Sequence, residues 1–93
     1  MATKILIPTP LRQYADKADA LEIGGNTVGE LMNNLTQRYP ALKKHLFTED
    51  GRLRSFVNVY INDEDIRYLQ KEATGVTDKD VVSIVPSIAG GGE

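Results

Sequence analysis

The stretch G-G-N-T-V-G-E-L, residues 24–31, sets glycines ahead of a helix start, as a phosphate loop does to let backbone approach an anion closely. The Lys-Ser/Thr pair that such a loop requires is replaced by Glu30-Leu31, so the stretch reads as a plain loop before a capped helix. N-D-E-D, residues 62–65, crowds three carboxylates together. It lacks the alternating ligand spacing and central glycine of a calcium loop, and reads as a solvated turn. His45 is the only histidine and there is no cysteine, so it has no companions for a metal site or a triad; a surface position is expected. Ser55, Ser83 and Ser87 have no identifiable base. No self-contained active site emerges, and thiol nucleophiles, disulfides and thiolate-bound zinc are excluded by composition.

One candidate is left, the run S-I-A-G-G-G-E over residues 87–93. It follows directly on the apolar pattern V-V-S-I-V-P, with only Ser87-Ile88-Ala89 intervening and no charged linker. From Pro86 to Gly91 such a strip extends about 17 Å, enough to enter another protein's active site while a folded body docks outside. Glycines permit unusual backbone angles and close approach on every side, which a narrow catalytic channel demands.

The elements that must position this strip fit one small domain. A chain of 93 residues buries only about two-thirds of its unfolded surface, and 41% hydrophobic with 26% charged residues is an ordinary globular composition. The net charge of -2 gives no reason to expect a nucleic-acid footprint; Lys43-Lys44-His45 and Arg52/Arg54 read as solvated basic spots. The apolar run before Pro8 is too short for a signal segment or a membrane span, so a cytosolic protein is expected.

Ile5-Leu6-Ile7 and Ala20-Leu21-Glu22-Ile23 read as two strands joined by an irregular connection. Thr27 and Glu30 form a capping box, and Val28, Leu31, Met32, Leu35 and Tyr39 make one apolar helical stripe that Pro40 ends. Gly29 inside that helix costs roughly 1 kcal/mol against Ala, tolerable where the first turn packs closely on another backbone. A shorter helical stretch over 41–47 precedes the strand F-V-N-V-Y-I-N, residues 56–62. Residues 66–69 read as a short strand, 77–80 as a turn, and 81–86 as the last strand. One long helix across a mixed sheet of four or five strands gives each apolar stripe a partner, an α+β architecture. With first and last strands adjacent and parallel, taken by analogy, this is the β-grasp, or ubiquitin-like, fold. The expected division is a β-grasp body over 1–86 and a flexible C-terminal glycine tail over 87–93.

That pattern, with V-S-I-V-P-S-I-A-G-G over residues 82–91, resembles the MoaD/ThiS family of sulfur-carrier proteins across nearly the whole chain. F-V-N-V-Y-I-N-D-E-D-I-R-Y, residues 56–68, is similar to the CysO-like branch that supplies sulfur for cysteine synthesis. The resemblance implies a protein cosubstrate, not an enzyme. An E1-like enzyme uses ATP to adenylate a terminal glycine carboxylate, and a sulfur donor displaces AMP to give a thiocarboxylate. The acceptor is a PLP-dependent synthase making cysteine, or an enzyme of molybdenum-cofactor or thiamin biosynthesis; no cofactor is bound by the carrier itself. Family members end at Gly-Gly, whereas Gly92 and Glu93 follow Gly91 here. The resemblance therefore implies removal of Gly92-Glu93 by a JAMM-type zinc peptidase, Gly91 as acceptor of the adenylate and sulfur, and Ala89, Gly90 and Gly91 as the threaded strip. Removal of Glu93 alone makes Gly92 the acceptor. A ubiquitin-like protein modifier, or an interaction module without chemistry, is the other class of function.

Strand parity supplies a docking surface. If Ile5, Ile7, Val57, Val59, Ile61, Val82 and Ile84 face the helix, then Leu6, Phe56, Tyr60, Val81 and Val85 lie on the opposite face, more apolar than a solvated sheet. They form a partner-binding face, or are covered by the short helix or a second copy.

Overall fold

Two apolar runs from opposite ends of the chain pair side by side at the centre of the sheet. In the computed structural model, which describes residues 2–86, β1 (Ala2–Leu6) and β5 (Val81–Pro86) are parallel, with Ile5 opposite Val82 and Leu6 opposite Ser83. β2 (Ala20–Gly24) pairs antiparallel with β1, and β3 (Val57–Ile61) antiparallel with β5; β4 (Glu64–Asp65) closes the order β2-β1-β5-β3-β4. This mixed five-stranded sheet with a helix on one face is the expected β-grasp fold. The glycine tail expected over 87–93, and with it the division of the chain after residue 86, lies outside the described residues.

α1 (Val28–Arg38) lies across the helix-facing side, where Val28, Leu31, Met32 and Leu35 are fully buried against Ile5, Val59, Val82 and the rest of the core. Truncating one such Leu to Ala costs about 2–5 kcal/mol, a large part of what holds a domain this size together. The Thr27 hydroxyl accepts the Glu30 N–H at 3.2 Å, while the Glu30 carboxylate reaches past Thr27 to the N–H of Asn26 at 2.9 Å. The reciprocal bond of the capping box is thus displaced by one residue. Gly29 lets another backbone come close: a Cβ there would stand 3.2 Å from the Glu72 carbonyl oxygen, tight enough that the neighbour would have to give. Around it, Val28 N–H donates to Thr74 O and Val76 N–H to Asn26 O, so the segment before β5 braces the start of α1. α2 (Lys43–Leu46) is a single turn that sinks Leu46 into the core.

Two expectations need correction. Residues 66–69 do not form a strand. The turn closes earlier, because Asn62 and Asp63 both take positive φ, 50° and 76°, the pair of left-handed residues that joins antiparallel strands in a two-residue loop. Glu64 and Asp65 then pair back onto Ile61 and Tyr60, and the Asp65 carboxylate accepts the Arg67 N–H at 2.9 Å, starting a 3-10 turn over Ile66–Tyr68. His45, expected at the surface, is half-buried, with its ring stacked on Tyr14 at 4.3 Å.

A polar clasp fixes the start of β5 against the end of β3. Asn62 donates its backbone N–H to Val81 O and accepts the Val81 N–H on Oδ1, each at 2.9 Å. Asp80 accepts the Thr77 N–H and the Asn62 Nδ2–H, both at 2.8 Å, and the Thr77 hydroxyl at 3.2 Å. The Thr77 backbone bond first, and the Asn62 side chain next, hold the Asp80 carboxyl below its ordinary 3.8. A depressed native pKa makes the ionised clasp stabilising above the unfolded value and loses that contribution as pH falls through the native one. Urea midpoints measured over a pH series should therefore place Asp80→Ala below the parent chain at neutral pH. The gap should close as pH drops below 3.8; a gap independent of pH would contradict this role.

Candidate functional site

β5 ends at Pro86 opposite Val57, and the surface around that end is the candidate site. The connection between β1 and β2 builds one side. Pro8 and Pro10 bracket the entry to a 3-10 turn over Thr9–Tyr14, where preset φ suits the first turn and a missing N–H costs nothing. Leu11 N–H closes it onto Pro8 O, and Arg12 Nε–H donates back to Ile7 O at 2.9 Å. The other side comes from α2 and the residues before β3: Arg54 Nε–H donates to Lys44 O at 2.9 Å and Arg54 N–H to Leu46 O.

Two grooves meet at Pro10 and Pro86. The first, about 460 Å³, runs between β1 and β5 and is lined by Leu6, Pro8, Arg12, Val85 and those two prolines. The second, about 340 Å³, continues around the end of the sheet past Tyr14, Lys44, His45, Arg54 and Phe56. Among the described residues the lining of both grooves includes Arg12, Lys44 and Arg54 and no acidic side chain, in a chain whose net charge is -2. The buried Nε2 of His45 has no hydrogen-bond partner among the described residues.

The structure distributes the five proposed face residues unevenly. Leu6 and Val85, 37% and 44% exposed, sit together in the first groove, and α2 leaves them uncovered. Phe56, 44% exposed, precedes β3 and lines the second groove instead of continuing the strand face. Tyr60 and Val81 are half-buried and line neither; they face the sheet rows of Ser83 and Lys4. Ala89, Gly90, Gly91 and Gly92 lie outside the described residues. Sequence reasoning missed Pro8, Pro10 and the Tyr14–His45 stack. The two prolines were visible as punctuation in the first connection, but no local pattern announces a ring pair 31 positions apart. Of the basic spots seen in the sequence, Lys44 and Arg54 converge here, whereas Arg52 pairs with Asp50 at 3.6 Å.

Among the described residues no three His, Cys, Asp or Glu side chains converge on a point that could hold a metal ion, and no helix is long and apolar enough to cross a membrane. What the geometry offers is an apolar, basic-rimmed shoulder at the end of the central strand.

The ThiS family model matches residues 5–91. The sulfur carrier protein CysO of Mycobacterium tuberculosis is 36% identical over 93 residues, covering 98% of this chain and 100% of the relative. Small archaeal modifier protein 3 of Haloferax volcanii is 38% identical over 65 residues, 70% of each chain. Among solved structures, a chain of the Amycolatopsis orientalis BexX/CysO complex superposes with a TM-score of 0.87 and 37% identity, over 97% of this chain and 100% of the other.

The alternation along β5 can be checked directly. Ile84 is 3% exposed and its neighbour Val85 is 44% exposed. Ile84→Ala should destabilise by about 2–5 kcal/mol in urea unfolding, and Val85→Thr by less than about 0.5 kcal/mol. Comparable losses at both positions would mean that the outer face is packed.

Proposed function

The chain belongs to the ThiS family, and on that premise we propose a sulfur carrier whose Gly91 is adenylated, converted to a thiocarboxylate and consumed by a biosynthetic enzyme. A sulfur-carrier role is supported by the family match and by 36% identity to CysO along its whole length. The observation that carries the finer reading is where the family match stops: at Gly91, with Gly92-Glu93 beyond it. Trimming those residues exposes a glycine carboxylate five positions after the end of β5.

A carboxylate is inert toward sulfur nucleophiles, and the described residues offer nothing to activate it. In an E1-like enzyme, a Gly91 carboxylate oxygen attacks the α-phosphorus of ATP and pyrophosphate leaves. A sulfide nucleophile then adds to the carbonyl carbon of the acyl adenylate and expels AMP. The thiocarboxylate formed is a good nucleophile in a protein with no cysteine. ATP belongs to the activating enzyme and pyridoxal phosphate to a cysteine-forming acceptor; the carrier binds neither. A JAMM-type peptidase suits the trimming step, and the cytosol, where these enzymes work, is the proposed location.

The body's part is to dock. Leu6, Phe56 and Val85, with the half-buried Tyr60 and Val81 beside them, give a face that an activating enzyme and an acceptor enzyme use in turn. The A. orientalis CysO relative is known from a complex with BexX, which supports partner docking by this fold. A modifier reading, in which the same activated glycine forms an isopeptide with a lysine, draws on the likeness to the H. volcanii protein.

Intact-mass analysis of the protein from its native cell separates these readings. Loss of Gly-Glu with one oxygen replaced by sulfur is the expected result; branched adducts would establish the modifier. In vitro, the chain trimmed to Gly91 should support ATP–pyrophosphate exchange by the cognate activating enzyme, and the untrimmed chain should not. With the same enzyme, Phe56→Ala and Val85→Lys should raise KM about tenfold or more at unchanged kcat, the signature of lost uniform binding. Unaltered KM in both variants would remove this face from the docking surface.

A further inference from the structure

The second groove begins where the described chain ends. Pro86 is part of its wall, Leu11, Tyr14 and Phe56 give it an apolar floor, and Lys44 and Arg54 stand on its rim. Two features of this groove are unused by the sulfur-carrier reading. Its charge is all of one sign among the described lining residues. Its wall contains a buried imidazole nitrogen, His45 Nε2, without a polar partner there, and buried nitrogens of that kind are rare because the unmade bond is costly. Phe56, shared with the docking face, is 44% exposed at its mouth.

The seven residues 87–93, S-I-A-G-G-G-E, carry one large apolar side chain, Ile88, two positions after Pro86, and one acid, Glu93. Extended, they reach about 23 Å, less than the shortest 25 Å extent of the molecule. Between Ile88 and Glu93 stand Ala and glycines, which let a backbone lie flat against a wall.

We propose that this groove is a carboxylate-binding site for the chain's own uncut C-terminal segment, with Ile88 on the floor beside Phe56 and Tyr14 and the Glu93 carboxylate on Lys44 and Arg54. A peptide group of residues 89–91 supplies the missing partner of His45 Nε2. The untrimmed end is then held on its own body, and loss of Gly92-Glu93 removes the Glu93 side-chain carboxylate and leaves the terminal carboxylate two residues short of its place. The site stands apart from the sulfur chemistry and holds whether or not Gly91 is ever activated.

The test needs neither ATP nor an activating enzyme, so its outcome leaves the carrier reading untouched. Isotope-labelled full chain should show nuclear Overhauser effects from the Ile88 methyls to the Phe56 and Tyr14 rings, with His45 imidazole nitrogen shifts that move on trimming to Gly91. Lys44→Glu should abolish these Overhauser effects, Glu93→Lys likewise, and the double swap should restore them; both positions are exposed or outside the described body, so the fold is retained. Random-coil shifts for residues 88–93 in the full chain would overturn the proposal. So would Overhauser effects that survive both single charge reversals, or that vanish on tenfold dilution, which would put a second copy's tail in the groove.

Discussion

β5 is hydrogen-bonded on both sides, parallel to β1 and antiparallel to β3, and everything else in the molecule is arranged around that double pairing. A strand held on both sides cannot shift register without moving its alternate side chains out of the core, so Val82 and Ile84 lock the position of Pro86. Pairing with β1 covers Val81 to Ser83, and from there β3 alone carries the strand out to Pro86, opposite Val57. α1 seals the inner face of this strand, the Asn62–Asp80 clasp secures its start, and the first connection and α2 build the shoulder at its end. In the proposed function such a root matters, since an end offered to an enzyme is only as well aimed as the strand that carries it.

The two faces of the sheet differ sharply in what they expose. One side of the sheet is devoted to stability, with Ile5, Val59, Val82 and Ile84 nearly inaccessible. The other leaves Leu6 and Val85 open, which a monomer gains nothing by exposing. The basic rim of Arg12, Lys44 and Arg54 is local, set in a chain of slightly negative net charge. Apolar contact area beside a local positive potential is the combination by which the proposed docking face would be recognised and oriented.

The fold was legible because its signals are local and periodic. The Thr27 cap, the stripe from Val28 to Leu35 and the alternation of β3 each follow from sequence spacing, and each appears in the structure. Residues 66–69 misled because Ile66 and Tyr68 look like strand residues, whereas the two-residue Asn62-Asp63 loop uses up the pairing at Glu64-Asp65 and the Asp65 cap turns the chain away. The candidate site was legible only in part. Parity put Leu6, Val85 and Phe56 on the outside, and all three are exposed, but Phe56 sits one residue before its strand and lines the neighbouring groove. The Tyr14–His45 stack and the convergence of Lys44 with Arg54 come from tertiary packing between segments that share no periodicity.

The brevity of β4 has a consequence of its own. A sheet that ended on a long, flat, apolar strand would offer free amides and carbonyls as a template for a stranger's backbone. Here the outermost strand is two residues long, both of them acids, and the chain coils away at once into a 3-10 turn. An incoming strand finds too few groups to pair with and like charge from any second copy. On this side the protein is thereby guarded against aggregation, at the scale of two residues and one hairpin loop.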